Sequence, residues 1–220
     1  SKVVQELAMA GLLLYEDLTS IGRSISPTSM IVASTLKLTK RLVKVFRANN
    51  LSLGYDTNVR DVGISNTAGK VRSAGLISWR ISKAKVRNIK VSQIASKTRN
   101  AAKLFRTGVY PQATYGHQVA GLSPTQVRSL RTEAARATGR MKPGRCTTTL
   151  IQFIHGGHWD PAVRIRQEVL TAYINFWQEH QDIQGHIDTL WKQYINSPPT
   201  WHNVTGPIGI AFMAVASLGL

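Results

Sequence analysis

The chain has 220 residues, 43% of them hydrophobic and 18% charged, a balance that suits a globular protein with a buried core and excludes a disordered one. Its outlying property is charge: 28 Lys and Arg against 11 Asp and Glu give +17, a self-repulsion that an anionic partner would relieve. Nucleic acid, an anionic membrane surface and an acidic protein are the candidate partners. Nucleic acid leads, because each cation docked on a phosphate releases a condensed counterion. The single Cys146 excludes an internal disulfide framework and fits a reducing compartment, without fixing one; nucleus and organelle both stay open.

In chain order, Lys2 to Leu18 reads as a helix, with apolar Val3, Leu7, Leu14 and Leu18 recurring near helical spacing. Ser24 to Pro27 breaks it, and the β-branched run Met30 to Ser34 predicts a short strand. Leu36 to Ala48 reads as a basic amphipathic helix that ends at the turn-forming Asn49-Asn50. Leu51 to Tyr55 and Val59 to Ile64 are expected to pair as strands around Asp56-Thr57-Asn58. A basic helical segment follows, then a second from Ser92 to Thr107 that Gly108 closes.

Ser123-Pro124-Thr125-Gln126 is the clearest helix start: Ser caps, Pro suits the first helical position and Gln126 completes a capping box. Val127, Leu130, Ala134 and Ala137 are expected to face inward and Gly139 to stop the helix. A second capped helix begins at Asp160-Pro161 and runs to about His180. Its Val163, Gln167, Leu170, Tyr173 and Trp177 form one stripe, expected to be core and not a base-stacking surface. Pro198-Pro199 ends the aromatic helices. Gly206 to Leu220 is almost wholly apolar but shorter than the roughly 20 residues of a spanning helix. It reads as a buried helix whose remaining partners lie in a missing part of the chain or in another subunit, and the chain reads as a piece of a longer protein. The expected fold class is mostly α with a small β element. Three modules are expected: residues 1–66 with short strands, a basic helical module over 67–145 and an aromatic-rich helical module over 146–220.

Charge is concentrated in the middle. No acid occurs between Asp61 and Glu133, an interval that holds a long series of Lys and Arg. A solvated helix face normally mixes signs, since opposite charges one turn apart stabilise it and like charges repel. The candidate nucleic-acid contacts are therefore Lys83, Lys85, Arg87 and Lys90, then Lys97, Arg99, Lys103 and Arg106, and finally Arg128 and Arg131, one turn apart on the outward side of their helix. Contacts of this kind grip phosphates without reading sequence.

Other chemistry finds little support in the residues. Glu16-Asp17 after Tyr15 supplies only one Asp on a helix, where a two-metal site needs converging carboxylates. His155, His158 and Cys146 fall short of a four-ligand zinc pattern, and Gly69-Lys70 lacks the upstream glycine of a phosphate loop. No metal, cofactor or catalytic residue is expected.

Several stretches, in order, resemble the region downstream of the catalytic aspartates in non-LTR retrotransposon reverse transcriptases, as found in protist retroelements. Ile25-Ser26-Pro27-Thr28 with Met30-Ile31-Val32-Ala33-Ser34 resembles the late palm motif, and Arg60-Asp61-Val62-Gly63-Ile64 the strand that leads to the primer-contacting hairpin. The basic helices match the thumb in position and charge. Thr107-Gly108-Val109-Tyr110-Pro111, Ala113-Thr114-Tyr115-Gly116 and Gly121-Leu122-Ser123 resemble the segment after it, and Gly206-Pro207 with Leu218-Gly219 the start of a further element. Two departures weigh on activity. The family's paired catalytic Asp lies upstream of the region matched here, and the late palm motif usually carries Lys where this chain has Ser29. The resemblance implies a grip on RNA or an RNA–DNA hybrid without catalysis by these residues. The alternatives are an active RNA-directed DNA polymerase with its palm elsewhere, or a recruited structural subunit of a large assembly such as an organellar ribosome or a membrane complex. In the last case other protein subunits would dock through the apolar C-terminal segment; a membrane is the less favoured partner.

Overall fold

The structure is a computed structural model that describes residues 2–26, 28–61, 63–69, 71–139, 143–204 and 206–219. Pro27, Val62 and Lys70 of the sequence reading lie outside the described residues, as does the side chain of Arg99. The chain is mostly helical with small two-stranded sheets, the expected fold class. It divides into two compact units, Ser1–Ser73 and Ala74–Leu220, so the basic and aromatic segments fall in one unit and no division falls at residue 145.

In the first unit, α1 (Lys2–Ser20) packs on α2 (Leu36–Ala48). Thr35 caps α2 by accepting from the Leu38 N–H, and Asn50 follows it in the left-handed region (φ 61°), a conformation Asn tolerates better than most residues. The apolar face of α2, with Leu42 and Phe46 buried, meets Val4 and Ala8 of α1. Gly11 allows the close approach: a Cβ there would stand 2.6 Å from the tip of the Phe46 ring. The buried register of α1 is therefore Val4 and Ala8 with Leu12 and Tyr15 beside them, while Val3, Leu7 and Leu14, the periodic residues of the sequence reading, are exposed.

The strands pair differently from expectation. β1 (Met30–Val32) lies parallel to β2 (Gly54–Asp56), and β3 (Asn58–Asp61) forms an antiparallel pair with β4 (Ile64–Thr67). The reason sits at Asp56. Its Oδ1 accepts the backbone N–H of Thr57 at 2.6 Å and of Asn58 at 3.4 Å, turning the chain into a corner where a hairpin was expected.

The second unit is built around α3 (Gly75–Ala95), one unbroken helix that buries Ile77, Ile81, Ala84 and Val91. A break at 96–98 precedes a 3₁₀ turn (Arg99–Ala102) and a π-helical turn (Phe105–Val109), which runs straight into α4 (Tyr110–Thr114). The expected helix from Ser92 to Thr107 is thus split at its start, and Gly108 sits inside helical backbone without ending it. Phe105 and Val109 are buried, and their packing overrides the weak helix propensity of glycine.

After the short α5 (His117–Ala120), α6 (Pro124–Arg136) begins with the expected capping box: the Gln126 N–H donates to Ser123 Oγ, and the Ser123 N–H to Gln126 Oε1. Leu130, Ala134 and Ala137 are buried with Val127 packed beside them, as expected. Gly139 ends the turn at φ +66°, where a Cβ would lie 2.5 Å from the Ser96 nitrogen, so the end of α6 presses on the end of α3.

α7 (Thr147–His155) and α8 (Pro161–Glu179) follow. The buried stripe of α8 is Pro161, Ile165 and Val169, continued by half-buried Tyr173, whereas Val163 is 46% exposed and Trp177 half-buried. The expected stripe was out of phase because apolar residues surround this helix, and periodicity alone left its phase open. α9 (Gln184–Asn196) and α10 (Gly206–Ala216) complete the unit. Phe212 of α10 is buried among Tyr173, Trp191 and Tyr194, with ring centroids at 6.3, 4.8 and 5.5 Å, so the apolar segment finds partners inside this chain. Among the described residues no helix is long and apolar enough to cross a membrane.

The phase of α8 is open to a direct test. Ile165→Ala is expected to cost about 2–5 kcal/mol in denaturant unfolding, as a large-to-small core change. Val163→Ala should stay within about 0.5 kcal/mol. A larger cost at Val163 than at Ile165 would return the buried stripe to the Val163 phase.

Candidate functional site

Of the candidate cations, α3 carries Lys83, Arg87 and Lys90 exposed and Lys85 half-buried. Lys83, Arg87 and Lys90 follow the i, i+4, i+7 spacing of one helix face. The Lys83 Nζ stands 5.7 Å from the ring centroid of Trp79, itself 53% exposed, and Arg87 Nη1 donates to the Gly108 carbonyl at 3.3 Å. Lys97 and Lys103 are exposed beyond the end of α3. Arg106 is half-buried with its guanidinium 5.1 Å from the Trp159 ring centroid, which Arg164 approaches at 5.0 Å. Arg128 is exposed on α6 and its guanidinium is paired with no described residue.

Arg131 departs from the expected role. Its Nε donates to both oxygens of Asp160 at 2.9 and 3.0 Å, its Nη2 to Asp160 Oδ2 at 2.8 Å and to the Thr148 hydroxyl at 2.8 Å. Asp160 also accepts the Ala162 N–H at 2.9 Å, so it caps α8 while it holds α6. This guanidinium is already paired. Spacing on α6 gave the right face, but the Asp160 partner, 29 residues away, leaves no local signal.

Sequence reading also left out a set of cations. α2 exposes Lys37, Lys40, Arg41, Lys44 and Arg47 within 13 residues. The basic amphipathic pattern of α2 is legible in the sequence, but Asp56 and Asp61 separate it from the acid-free interval that follows.

The acids of the second unit explain why the cations stand unopposed. Glu133 is buried, accepting from Arg136 Nη1 at 2.7 Å and from Asn88 Nδ2 at 2.8 Å. Glu168 accepts from Arg164 Nε at 2.6 Å and from the Tyr110 hydroxyl at 3.1 Å, and its Oε2 lies 3.4 Å from His117 Nε2. Burial pushes the Tyr110 phenol well above its ordinary range, and the neighbouring Glu168 carboxylate adds to the rise. Glu133, Asp160 and Glu168 are thus each paired with an arginine of their own unit.

The residues considered for catalysis or metal binding are dispersed. Glu16 and Asp17 are exposed, Cys146 is exposed, and His155 is buried with Nε2 at 3.0 Å from the Ala134 carbonyl oxygen and its ring against Phe105. Among the described residues no group of three His, Cys, Asp or Glu side chains is placed to hold a metal ion. Comparison with protein-family models, with curated proteins and with solved structures finds no match to this chain.

Two tests follow from this geometry. Asp160→Ala leaves Arg131 half-buried without its partner and uncaps α8, and is expected to destabilise the protein by about 2–4 kcal/mol in denaturant unfolding. A cost below about 0.5 kcal/mol would mean that the contact holds nothing together. The second concerns pH. Burial lowers the affinity of His117 and His155 for a proton, and in His117 this outweighs the upward pull of Glu168. Both imidazoles therefore take up a proton less readily in the fold than in the unfolded chain, which protonates them near pH 6.5. Their contribution to stability is present above that pH and lost as pH falls through and below it. Melting temperature should fall between pH 7.5 and 5.5, and His117→Gln with His155→Gln should flatten that slope.

Proposed function

We propose that this chain is a non-catalytic nucleic-acid-binding protein, derived from a reverse transcriptase, that holds RNA or an RNA–DNA hybrid by sequence-independent phosphate contacts. One observation carries the reading: Lys83, Arg87 and Lys90 on one face of α3, with Lys97 and Lys103 beyond it, are exposed and carry one sign over an interval without acids. The buried acids Glu133 and Asp160 and the half-buried Glu168 are each paired with a cation, so they leave this surface charge in place. Arg128 adds to it from α6, whereas Arg131 is withdrawn from the proposed grip. The cations of α2 belong to the same reading as a second basic surface. The order of palm-like and thumb-like motifs in the sequence supports the origin, and Ser29 in place of the usual Lys supports binding without nucleotide incorporation.

A second reading, a structural subunit of a larger ribonucleoprotein, is favoured by the exposed Val3, Leu7 and Leu14 of α1, spaced as one apolar stripe. It shares the phosphate contacts and adds a protein neighbour.

The test is salt dependence. With about six phosphates neutralised, affinity for a short RNA–DNA hybrid should fall about 1000-fold between 50 and 200 mM salt. Removing Lys83, Lys90 and Lys97 together, each to Ala, should lower the log–log slope by about three and leave unfolding free energy within about 0.5 kcal/mol per site. A slope that does not change on this triple substitution would remove α3 from the interface.

A further inference from the structure

We propose that a cavity between α6, α8 and α10 binds a long-chain alkyl carboxylate, with its tail inside and its head on Arg128 and Arg166. This site shares Arg128 with the proposed nucleic-acid surface, but its apolar chamber does not depend on that reading.

The cavity encloses about 480 Å³, within the roughly 300–1,000 Å³ common for small-molecule sites. Its wall is mainly aliphatic: Val127, Ile165, Val169, Ile210 and Met213, with Trp201 at one side. Such a wall gains most from an occupant that is itself apolar. Three arginines join this lining and no carboxylate does. Arg131 is held by Asp160, which leaves Arg128 and Arg166, both exposed and paired with no described residue. Two unopposed guanidiniums beside an apolar chamber fix the sign of the occupant's head, and the planar fork of Arg matches a carboxylate.

The same wall disfavours a nucleotide base. Tyr194 is stacked on Trp191 with ring centroids 5.5 Å apart, and its hydroxyl is 3.1 Å from Met213 Sδ. The Ser217 hydroxyl donates to the Ala214 carbonyl at 2.7 Å. Few polar groups remain to read a base edge, whereas an alkyl chain asks for none.

The experiment is calorimetric titration of the full chain with octanoate, decanoate and dodecanoate below their micellar concentrations. Affinity should tighten about fourfold per methylene until the cavity is filled. Dodecanol should bind at least tenfold more weakly than dodecanoate. Arg128→Glu with Arg166→Glu should remove that preference and leave dodecanol binding unchanged. Ala216→Trp, at an exposed position of the lining, should weaken both ligands while far-ultraviolet circular dichroism and RNA affinity stay as in the parent. The proposal is overturned if dodecanoate does not bind, if the alcohol binds as tightly, or if Ala216→Trp retains full dodecanoate affinity, which would mark adhesion to the basic surface.

Discussion

The contact between Arg131 and Asp160 fixes the geometry of the second unit. Through it α6 is tied to the first turn of α8, and through Thr148 to α7. A carboxylate so nearly enclosed keeps its charge at low cost only when its lone pairs are filled, and Asp160 fills them with a two-pronged guanidinium and a backbone N–H of its own helix. Fixing where α8 starts also fixes its rotation. Ile165 then turns toward Leu130 and Ile151 in the main core, and Val169 toward Ile210 and Ala211, which seats α10. Asn88 and Glu133 do the equivalent between α3 and α6, where the Asn88 amide donates to both the Glu133 carbonyl and its carboxylate. Packing supplies the free energy of this unit, and its polar contacts choose which packing is adopted.

That choice has a consequence for charge. A chain with 11 acids can set them outside, where they would temper +17, or inside, where they organise helices. Here the second unit buries Glu133 and Asp160 and half-buries Glu168, each in an ion pair with an arginine. What remains outside on α3 and α6 is positive and unbalanced. The same residues that make the fold specific thus leave its surface with unbalanced positive charge, and the two properties have one origin in how few acids the sequence contains.

Where the sequence was legible, local chemistry was strong. Ser123 with Gln126 and Asp160 with Pro161 each carry their own signal within four residues, and each cap formed. Where it misled, the deciding contact was distant or the pattern degenerate. The phase of α8 depends on α6 and α10, and the apolar residues ringing α8 permit several phases. In α1 the exposed Val3 and Leu7 are as periodic as the buried Val4 and Ala8, and what separates them is the Phe46 ring on Gly11. Arg131 looked like Arg128 because both lie on the outward side of α6, and only the fold reveals that one of them is already paired. The candidate surface on α3 was legible as composition, since missing acids need no three-dimensional information.

The solvent face of α3 is more than a row of cations. Trp79, Val86, Ile89 and Ile94 are about half exposed or more, interleaved with Lys83, Arg87 and Lys90. A helix that only had to stay solvated would carry polar residues there, and one that only gripped phosphates would have no use for an indole. Lys83 near the Trp79 ring shows both kinds of group within reach of one another on a single turn. A partner that satisfies such a face must present closely spaced negative charge and apolar surface together. Nucleic acid does so, with phosphates along its edge and sugars and base faces between them, and base–aromatic contact adds affinity without reading sequence. In the proposed reading the cations of α3 therefore set the salt dependence of binding, and the apolar residues between them set how much affinity survives once salt has screened the charge.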